Sequence, residues 1–251
     1  MRQFIGIIPA RYASTRFPGK PLIDIKGKSM IQRVYEQVLK AGLNKVYVAT
    51  DSEQIYHHVN SFGGNCLMTA ETHQSGTDRC NECAIQLNLL NDDVVINIQG
   101  DEPFIQAEQI TSLSACFDDV NTHIATLIKQ ITNKDDLESN SIPKVVLNKN
   151  NDAILFSRSV IPYPAKKSIE ELINAGIYFK HIGIYAYRVE TLKEIALLPA
   201  SKLELTESLE QLRWIENGYK IKTAITTVET IAIDTPEDLS RAIQYLENSK
   251  G

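Results

Sequence analysis

Residues 4–11 are Phe4-Ile5-Gly6-Ile7-Ile8-Pro9-Ala10-Arg11, an apolar run that passes directly into a polar loop. A short, continuous apolar run of this kind is typical of a strand that is buried on both faces of a parallel sheet. In open α/β sheets, ligands bind in the crevice outside the carboxyl ends of the strands. The loop from Pro9 to Lys20 is therefore the first place where a binding site is expected.

Apolar runs and helical patterns alternate after this first strand. Further strands are expected at 46–50, 66–68, 94–98 and 124–129, and helices are expected after Ser29, at 53–61, from about 77 and at 107–117. This βαβα order predicts an α/β fold, an open and mostly parallel mixed sheet with helices on both faces.

The second half of the chain is less regular. Residues 144–147 and 153–156 predict an antiparallel hairpin, and 161–180 is an excursion that carries prolines and lysines. A helix capped by Thr206 is expected over 206–217, a strand over 219–225, and a last helix after Asp234. We expect one domain over 1–251 that contains an irregular subregion at roughly 145–190.

Composition limits the classes of function. The chain has 251 residues and a formal net charge of -5, so it is a poor candidate for nucleic-acid binding, which needs a basic surface. No apolar stretch approaches the ~20 residues of a membrane span. No secretory signal peptide is apparent either. We therefore expect a cytoplasmic protein that partners neither nucleic acid nor membrane.

The loop after the first strand concentrates groups that bind phosphate. Arg11, Arg16 and Lys20 supply positive charge, and Ser14 and Thr15 supply hydroxyls. Arginine forks and a lysine point charge suit a triphosphate. The loop is neither a P-loop nor a dinucleotide fingerprint. The alternative is a solvated basic loop, which its position in an acidic chain disfavours.

Carboxylates follow two other apolar runs. Asp101 lies just past the strand at 94–98, where it could hold Mg²⁺ beside a phosphate loop. Glu102 could instead contact the groups that bind the metal without binding the metal itself. The alternative is an ordinary turn. Asp234 follows Ile231-Ala232-Ile233, but it also suits a helix start, and spacing alone does not show that it meets Asp101.

A third polar segment, His73-Gln74-Ser75-Gly76-Thr77-Asp78-Arg79, precedes or opens a helix. Its side chains and glycine-freed backbone groups could recognise the edge of a nucleotide base. On its own the segment would equally suit a capped loop.

Taken together, these motifs resemble the 3-deoxy-manno-octulosonate cytidylyltransferase family. The resemblance extends in order over nearly the whole chain, in the segments 8–22, 48–51, 73–79, 99–103, 144–147, 156–158, 181–188, 209–213 and 234–239. It implies a fold like that of nucleotide-diphospho-sugar transferases, which is Rossmann-like. It also implies a homodimer, and a sugar-binding and dimerisation role for the subregion at 145–190.

The resemblance further implies a reaction, in which CMP is transferred from CTP to the anomeric hydroxyl of 3-deoxy-D-manno-octulosonate (Kdo) with loss of pyrophosphate. The product would serve lipopolysaccharide synthesis, and Mg²⁺ is the implied cofactor. Catalytic positions are Lys20, Asp101 and Asp234, the last two as metal ligands. Nucleotide-binding positions are Ala10, Arg11, Ser14, Arg16, Lys20, Gln74, Ser75, Gly76 and Arg79. Sugar-binding positions are Gln99, Arg158, His181, Tyr185 and Glu210.

Several alternatives stay open on the residues alone. Residues 161–180 depart from the common family pattern, so an 8-amino-substituted octulosonate could be the acceptor. A sialic acid is a further alternative, and a non-catalytic nucleotide-binding regulator is another. Tyr185 and Tyr187 alternate along an expected strand, which leaves open which of them faces the acceptor pocket.

Overall fold

The structure is a computed structural model that describes residues 2–13, 17–229 and 232–248. The described strands are, in chain order, β1 (Phe4–Ala10), β2 (Lys45–Thr50), β3 (Cys66–Met68), β4 (Val94–Asn97), β5 (Ile124–Gln130), β6 (Lys144–Leu147), β7 (Ala153–Ser157), β8 (Phe179–Arg188) and β9 (Ile221–Ile225). The described α-helices are α1 (Met30–Leu39), α2 (Glu53–Ser61), α3 (Gly76–Gln86), α4 (Ala107–Ala115), α5 (Lys134–Glu138), α6 (Ile169–Asn174), α7 (Val189–Ile195), α8 (Lys202–Glu207), α9 (Gln211–Glu216) and α10 (Pro236–Asn248).

These elements group into two compact units. The first unit comprises Met1–Thr111 with Glu229–Gly251, and the second comprises Ser112–Val228. The sequence-based expectation of one domain over 1–251, with an irregular subregion at 145–190, stays a prediction. That subregion lies within the second unit.

The first unit is built on parallel strands in the order β3-β2-β1-β4. Ala10, the last residue of β1, is level with Thr50 at the end of β2, and Ile7 is level with Asn97 at the end of β4. Parallel strands present their carboxyl ends at one edge of the sheet, so the loops after these strands share that edge. The predicted alternation of strands and helices is confirmed in this unit.

Helix α1 shows how the sequence sets this packing. The Ser29 hydroxyl accepts a hydrogen bond from the Gln32 amide and so caps the helix. Ile31, Val34 and Val38 recur at helical spacing and are fully buried. Burial of each such side chain contributes roughly 1.5–3 kcal/mol.

The second unit carries a mixed arrangement. Strand β5 pairs in parallel with β9 and antiparallel with β8, whereas β6 pairs antiparallel with β7 and β8. The predicted hairpin at 144–147 and 153–156 is therefore confirmed as β6 and β7. With the parallel strands of the first unit, these pairings confirm the predicted α/β fold with an open, mostly parallel mixed sheet.

The expected helix over 206–217 is wrong. Helix α8 instead begins after Ser201, which forms a capping box with Glu204, and it ends at Ser208 in the left-handed conformation with φ of 52°. Helix α9 starts separately at Gln211. The break was missed because a left-handed helix end usually carries glycine, and Ser208 gives no such signal.

Among the described residues, no helix has both the length and the apolar character that crossing a membrane requires.

Candidate active site

A lysine and two carboxylates meet in the first unit. The Lys20 ammonium donates hydrogen bonds to Asp101 Oδ2 at 2.7 Å and to Asp234 Oδ1 at 3.0 Å. Burial alone would lower the pKa of Lys20, but the charge of Asp101 and the hydrogen bonds that Lys20 donates to both carboxylates raise it above its ordinary value. The side chain therefore remains a cation at neutral pH.

The loop after β1 sets the position of Lys20. The Gly19 amide donates to the Tyr12 carbonyl at 3.0 Å, which closes the loop on itself. Gly19 adopts φ of 69°, a left-handed conformation that glycine tolerates. A single 3₁₀ turn, Lys20–Leu22, then begins at the lysine.

Asp101 reaches the same place because two chain segments approach very closely. The Ile98 amide donates to the Ile7 carbonyl at 2.9 Å, which continues the pairing of β4 with β1. At Gly100 a Cβ atom would lie 2.7 Å from the Pro9 carbonyl oxygen, a distance that side-chain carbons do not adopt. Only glycine lets the β4 loop lie against the β1 loop, and Asp101 is the next residue.

Asp234 is brought in from the far end of the chain. The Ile233 amide donates to the Asp101 carbonyl at 2.9 Å, so the two aspartates are linked through the backbone. Thr235 caps helix α10, because its hydroxyl accepts from the Asp238 amide at 3.3 Å, while the Asp238 carboxylate accepts from the amides of Asp234 and Thr235 at 3.0 and 2.9 Å. The Asp234 carboxylate accepts a hydrogen bond from Lys20.

These residues line a cleft of about 390 Å³ at the carboxyl end of β1. Its walls include the predicted positions Ala10, Arg11, Lys20, Gln99, Asp101 and Asp234. Glu102 does not line it. It is buried, and burial together with the Asp101 charge raises its pKa to about 8.

The polar segment 73–79 lies beside the β1 loop. The Arg11 guanidinium donates to the His73 carbonyl, which ties the two loops together. Ser75 caps α3, and its hydroxyl accepts from the Asp78 amide at 3.1 Å. At Gly76 an added Cβ would meet Asn97 Nδ2 at 3.4 Å, an ordinary van der Waals contact.

Two nucleotide positions stand apart from this group. Gln74 donates from its side chain to the Thr72 carbonyl at 3.0 Å. Arg79 is fully buried, and its guanidinium donates to Asp51 Oδ2 at 2.7 Å and to the Thr69 hydroxyl. Through these hydrogen bonds Arg79 joins the end of β2 to the loop before α3, which is a structural role. Ser14 and Arg16 lie outside the described residues.

The second unit holds its own cluster of aromatic and polar side chains. The His181 ring lies 5.1 Å from Phe156 and 5.2 Å from Tyr185, and Tyr185 packs edge-on against Trp214 at 5.0 Å. Burial lowers the pKa of His181 to about 3, so the imidazole is neutral. Burial and the Glu210 charge raise the pKa of Tyr185 well above its ordinary value.

Three buried donors in this cluster have no hydrogen-bond partner among the described residues. They are Tyr185 Oη, Gln211 Nε2 and Trp214 Nε1. Buried polar groups are almost always satisfied, so unsatisfied ones point to a ligand or ordered water. Gln211 and Trp214 were not among the predicted site residues, although Gln211 lies inside the segment 209–213 that carried part of the resemblance.

Arg158 is held against the turn between α8 and α9. Its Nε and Nη2 donate to the carbonyls of Glu207 and Ser208 at 2.7 and 3.3 Å, and Nη1 donates to the Asn140 carbonyl at 2.9 Å. These contacts use three of the five guanidinium donors and support the left-handed Ser208.

A family model described as cytidylyltransferase matches residues 5–222. The chain belongs to the cytidylyltransferase family. The match covers most of the chain and includes the loop of Lys20, the Asp101 turn and most of the second unit.

Two known proteins are similar to this cytidylyltransferase over nearly its whole length. The 3-deoxy-manno-octulosonate cytidylyltransferase of Parabacteroides distasonis is 60% identical over 99% of this chain and 100% of its own length. The protein of the same name from Bacteroides thetaiotaomicron is 57% identical over 98% of this chain and 99% of its own length. The resemblance inferred from the sequence is confirmed.

A solved structure is also similar to this cytidylyltransferase. It is a CMP:2-keto-3-deoxy-manno-octonic acid synthetase complexed with CTP, which is 41% identical and has a TM-score of 0.90. The similarity covers 98% of this chain and 99% of that chain.

The predicted site residues of this cytidylyltransferase thus divide between its two units. The first unit brings Ala10, Arg11, Lys20, Gln99, Asp101 and Asp234 into one cleft. The second unit places His181 and Tyr185 in one cluster, with Glu210 close enough to influence the Tyr185 pKa. The functional roles of all these residues remain predictions.

Proposed function

We propose that this cytidylyltransferase transfers CMP from CTP to the anomeric hydroxyl of 3-deoxy-D-manno-octulosonate and so forms CMP-Kdo for lipopolysaccharide synthesis. The observation that carries the proposal is the Lys20 cation paired with Asp101 and Asp234 in the cleft beside the β1 loop. The relatives at 60% and 57% identity support the choice of substrates.

The proposed reaction is a displacement at phosphorus. A bond forms between the anomeric oxygen and the α-phosphorus, the bond from that phosphorus to the bridging oxygen breaks, and pyrophosphate leaves. The hydroxyl proton passes to water as the oxygen attacks. Negative charge develops on the phosphate oxygens, and fixed cations stabilise it. Lys20 and Arg11 line the cleft and would supply that charge.

Asp101 and Asp234 fit a Mg²⁺ site by a test of geometry. One ammonium nitrogen lies within 3.0 Å of both carboxylates, so the two side chains converge on a single cation position. Mg²⁺ favours oxygen ligands and often takes one or two carboxylates with substrate phosphates. We therefore propose that these two residues hold Mg²⁺. When bound, the ion would neutralise phosphate charge and lower the pKa of the attacking hydroxyl.

The acceptor is proposed to contact the polar cluster of the second unit. Tyr185 Oη, Gln211 Nε2 and Trp214 Nε1 offer unsatisfied donors for its hydroxyl and carboxylate oxygens. Arg158 retains further N–H groups that could pair with the sugar carboxylate. From the first unit, Gln99 lines the nucleotide cleft.

Assembly and location are proposals as well. We propose a homodimer, as the resemblance implies, and exposed apolar side chains of the second unit, among them Ile154, Leu155, Leu203, Leu205 and Ile225, are candidates for its interface. A contiguous patch of such side chains would be an association surface. We propose the cytoplasm as the location, because that compartment supplies CTP.

The deciding experiment measures pyrophosphate release from CTP and Mg²⁺ with each acceptor in parallel. We expect release and CMP–sugar formation with the octulosonate. Faster release with 8-amino-octulosonate or with sialate would replace the acceptor while keeping the cytidylyltransferase activity. Binding of CTP without turnover on any acceptor would favour the non-catalytic regulator.

A further inference from the structure

The hydroxyl of Thr126, a fully buried residue on β5, lies at the centre of a small hydrogen-bonded group in the second unit. Its Oγ1 lies 3.0 Å from His181 Nε2, 2.7 Å from the Ile184 carbonyl oxygen and 3.3 Å from the Ile182 carbonyl oxygen. One hydroxyl therefore faces two backbone acceptors and one ring nitrogen of a predicted sugar-binding residue.

A β-bulge creates this arrangement. Thr126 is level with Tyr185, but the next residue, Leu127, is level with Ile182. Gly183 and Ile184 are therefore extra residues on β8, and the carbonyls of Ile182 and Ile184 come within reach of one side chain. Bulges of this kind often redirect side chains beside functional sites.

The direction of each hydrogen bond follows from which of these atoms can donate a proton. Carbonyl oxygens only accept, and a threonine hydroxyl has a single proton to donate. At 2.7 Å the Ile184 carbonyl is the nearest acceptor, so it takes that proton. The hydroxyl oxygen must then accept from His181, which requires a proton on Nε2. A proton on Nδ1 instead would set two lone pairs against each other at 3.0 Å.

We infer that Thr126 is a positioning residue that fixes His181 as its Nε2–H tautomer and leaves the Nδ1 lone pair to accept a hydrogen bond from a hydroxyl of the sugar acid. The inference rests on the proposed function for the identity of that hydroxyl. Packing of the ring between Phe156 and Tyr185 fixes its plane as well. The imidazole is largely buried and neutral, which agrees with this role.

The first test measures the tautomer in the substrate-free protein. Long-range ¹H–¹⁵N spectra of the imidazoles distinguish protonated from unprotonated ring nitrogens, and the His181→Gln variant identifies the His181 signals. We expect a protonated Nε2 and an unprotonated Nδ1. A protonated Nδ1 in the unsubstituted protein would overturn the inference, and this measurement does not depend on turnover.

The second test compares three variants. Thr126→Val keeps the shape but removes the hydroxyl, and Thr126→Ser keeps the hydroxyl. The matched control is Thr223→Val, because Thr223 is level with Thr126 on the adjacent β9, is buried, and donates to the Asn151 carbonyl at 2.8 Å. We expect the KM for the octulosonate to rise about three- to tenfold in Thr126→Val alone, with the KM for CTP unchanged.

The outcomes separate this inference from the proposed function. A changed His181 tautomer together with a raised acceptor KM in Thr126→Val, and neither change in Thr126→Ser, supports the inference. An unchanged tautomer in Thr126→Val overturns it, as does an equal rise in KM in Thr223→Val. If no acceptor is turned over by the unsubstituted protein, the proposed function fails, while the tautomer still decides the role of Thr126.

Discussion

The cleft of the first unit and the aromatic cluster of the second unit present opposite kinds of polar group to a ligand. The cleft uses full charges, with Lys20 paired to Asp101 and Asp234. The aromatic cluster uses neutral groups, because burial keeps both His181 and Tyr185 uncharged. Charge suits a triphosphate, and uncharged donors and acceptors suit a hydroxyl-rich sugar. The two regions should therefore respond differently to substitution and pH.

The largest expected effect is in the charged region. Asp101→Asn removes one of the two negative charges that face Lys20, and we expect turnover to fall about 100- to 1000-fold or more. Pyrophosphate release under saturating CTP and Mg²⁺ measures this, and circular dichroism checks that the variant folds. The matched control is Asp92→Asn at an exposed position. Near-normal turnover in Asp101→Asn would remove this residue from the proposed metal site.

The sequence predicted the charged region better than the neutral one. Lys20 and Asp101 each follow a strand of the parallel sheet, and strand ends converge by geometry alone. The meeting of Asp101 with Asp234 could not be predicted from spacing, because it depends on the Ile233–Asp101 backbone hydrogen bond between distant segments. The requirement for glycine at position 100 could not be predicted either, because it arises from the close approach of the Pro9 carbonyl oxygen.

In the neutral cluster His181 and Tyr185 were predicted, but two of its donors were not, for a different reason. Trp214 and Gln211 belong to α9, and a single helix was expected across the break at Ser208. With the wrong helix boundaries, no pattern could place their donors beside Tyr185. The β-bulge that gathers Thr126 and His181 also has no signature in local sequence, since it is a property of the β5–β8 register.

The next largest effect concerns a buried ion pair of the first unit. Arg79 pairs with Asp51 at 2.7 Å, and its side chain is fully buried. Arg79→Met would leave Asp51 without its partner, so we expect a loss of about 3 kcal/mol or more in the free energy of unfolding. Urea denaturation measures this loss.

The control for this prediction is an exposed ion pair. Lys134 and Glu138 lie one helical turn apart at 3.6 Å, with half of each side chain exposed. Lys134→Met should change stability by less than about 1 kcal/mol. If Arg79→Met kept full stability but weakened CTP binding, Arg79 would contact the nucleotide directly, and its role would not be structural.

A smaller effect is expected from single hydroxyl groups in the neutral region. Tyr185→Phe removes a buried hydroxyl that has no partner among the described residues. Loss of an unsatisfied group should not reduce stability, but it should raise the acceptor KM about tenfold, because the proposed hydrogen bond to the sugar is lost. The KM for CTP should not change.

The neighbouring tyrosine supplies the comparison for that variant. Tyr187 stacks on Tyr185 with ring centroids 5.9 Å apart and is fully buried. We expect Tyr187→Phe to leave the acceptor KM unchanged. A raised acceptor KM in Tyr187→Phe, with an unchanged acceptor KM in Tyr185→Phe, would show that Tyr187 faces the acceptor. The alternation of side chains along the strand could not decide this by itself.

The smallest expected effect tests whether the aromatic cluster of the second unit is uncharged. The pKa of His181 is about 3 in the folded chain, against about 6.5 for an unperturbed histidine. Between these values the unfolded chain binds a proton that the folded chain does not, so stability contributed by this residue is fully present above pH 6.5 and declines as the pH falls. Because His181 is partly exposed, we expect a loss of only about 1 kcal/mol by pH 5.

Urea denaturation from pH 5 to pH 7 measures this slope, and His181→Gln should flatten it by that amount. His57, an exposed histidine on α2, provides the control, since His57→Gln should leave the slope unchanged. An equal slope in the unsubstituted protein and in His181→Gln would mean that the imidazole is protonated in the folded chain. A charged His181 would donate from both ring nitrogens, and the contrast between a charged cleft and a neutral cluster would no longer hold.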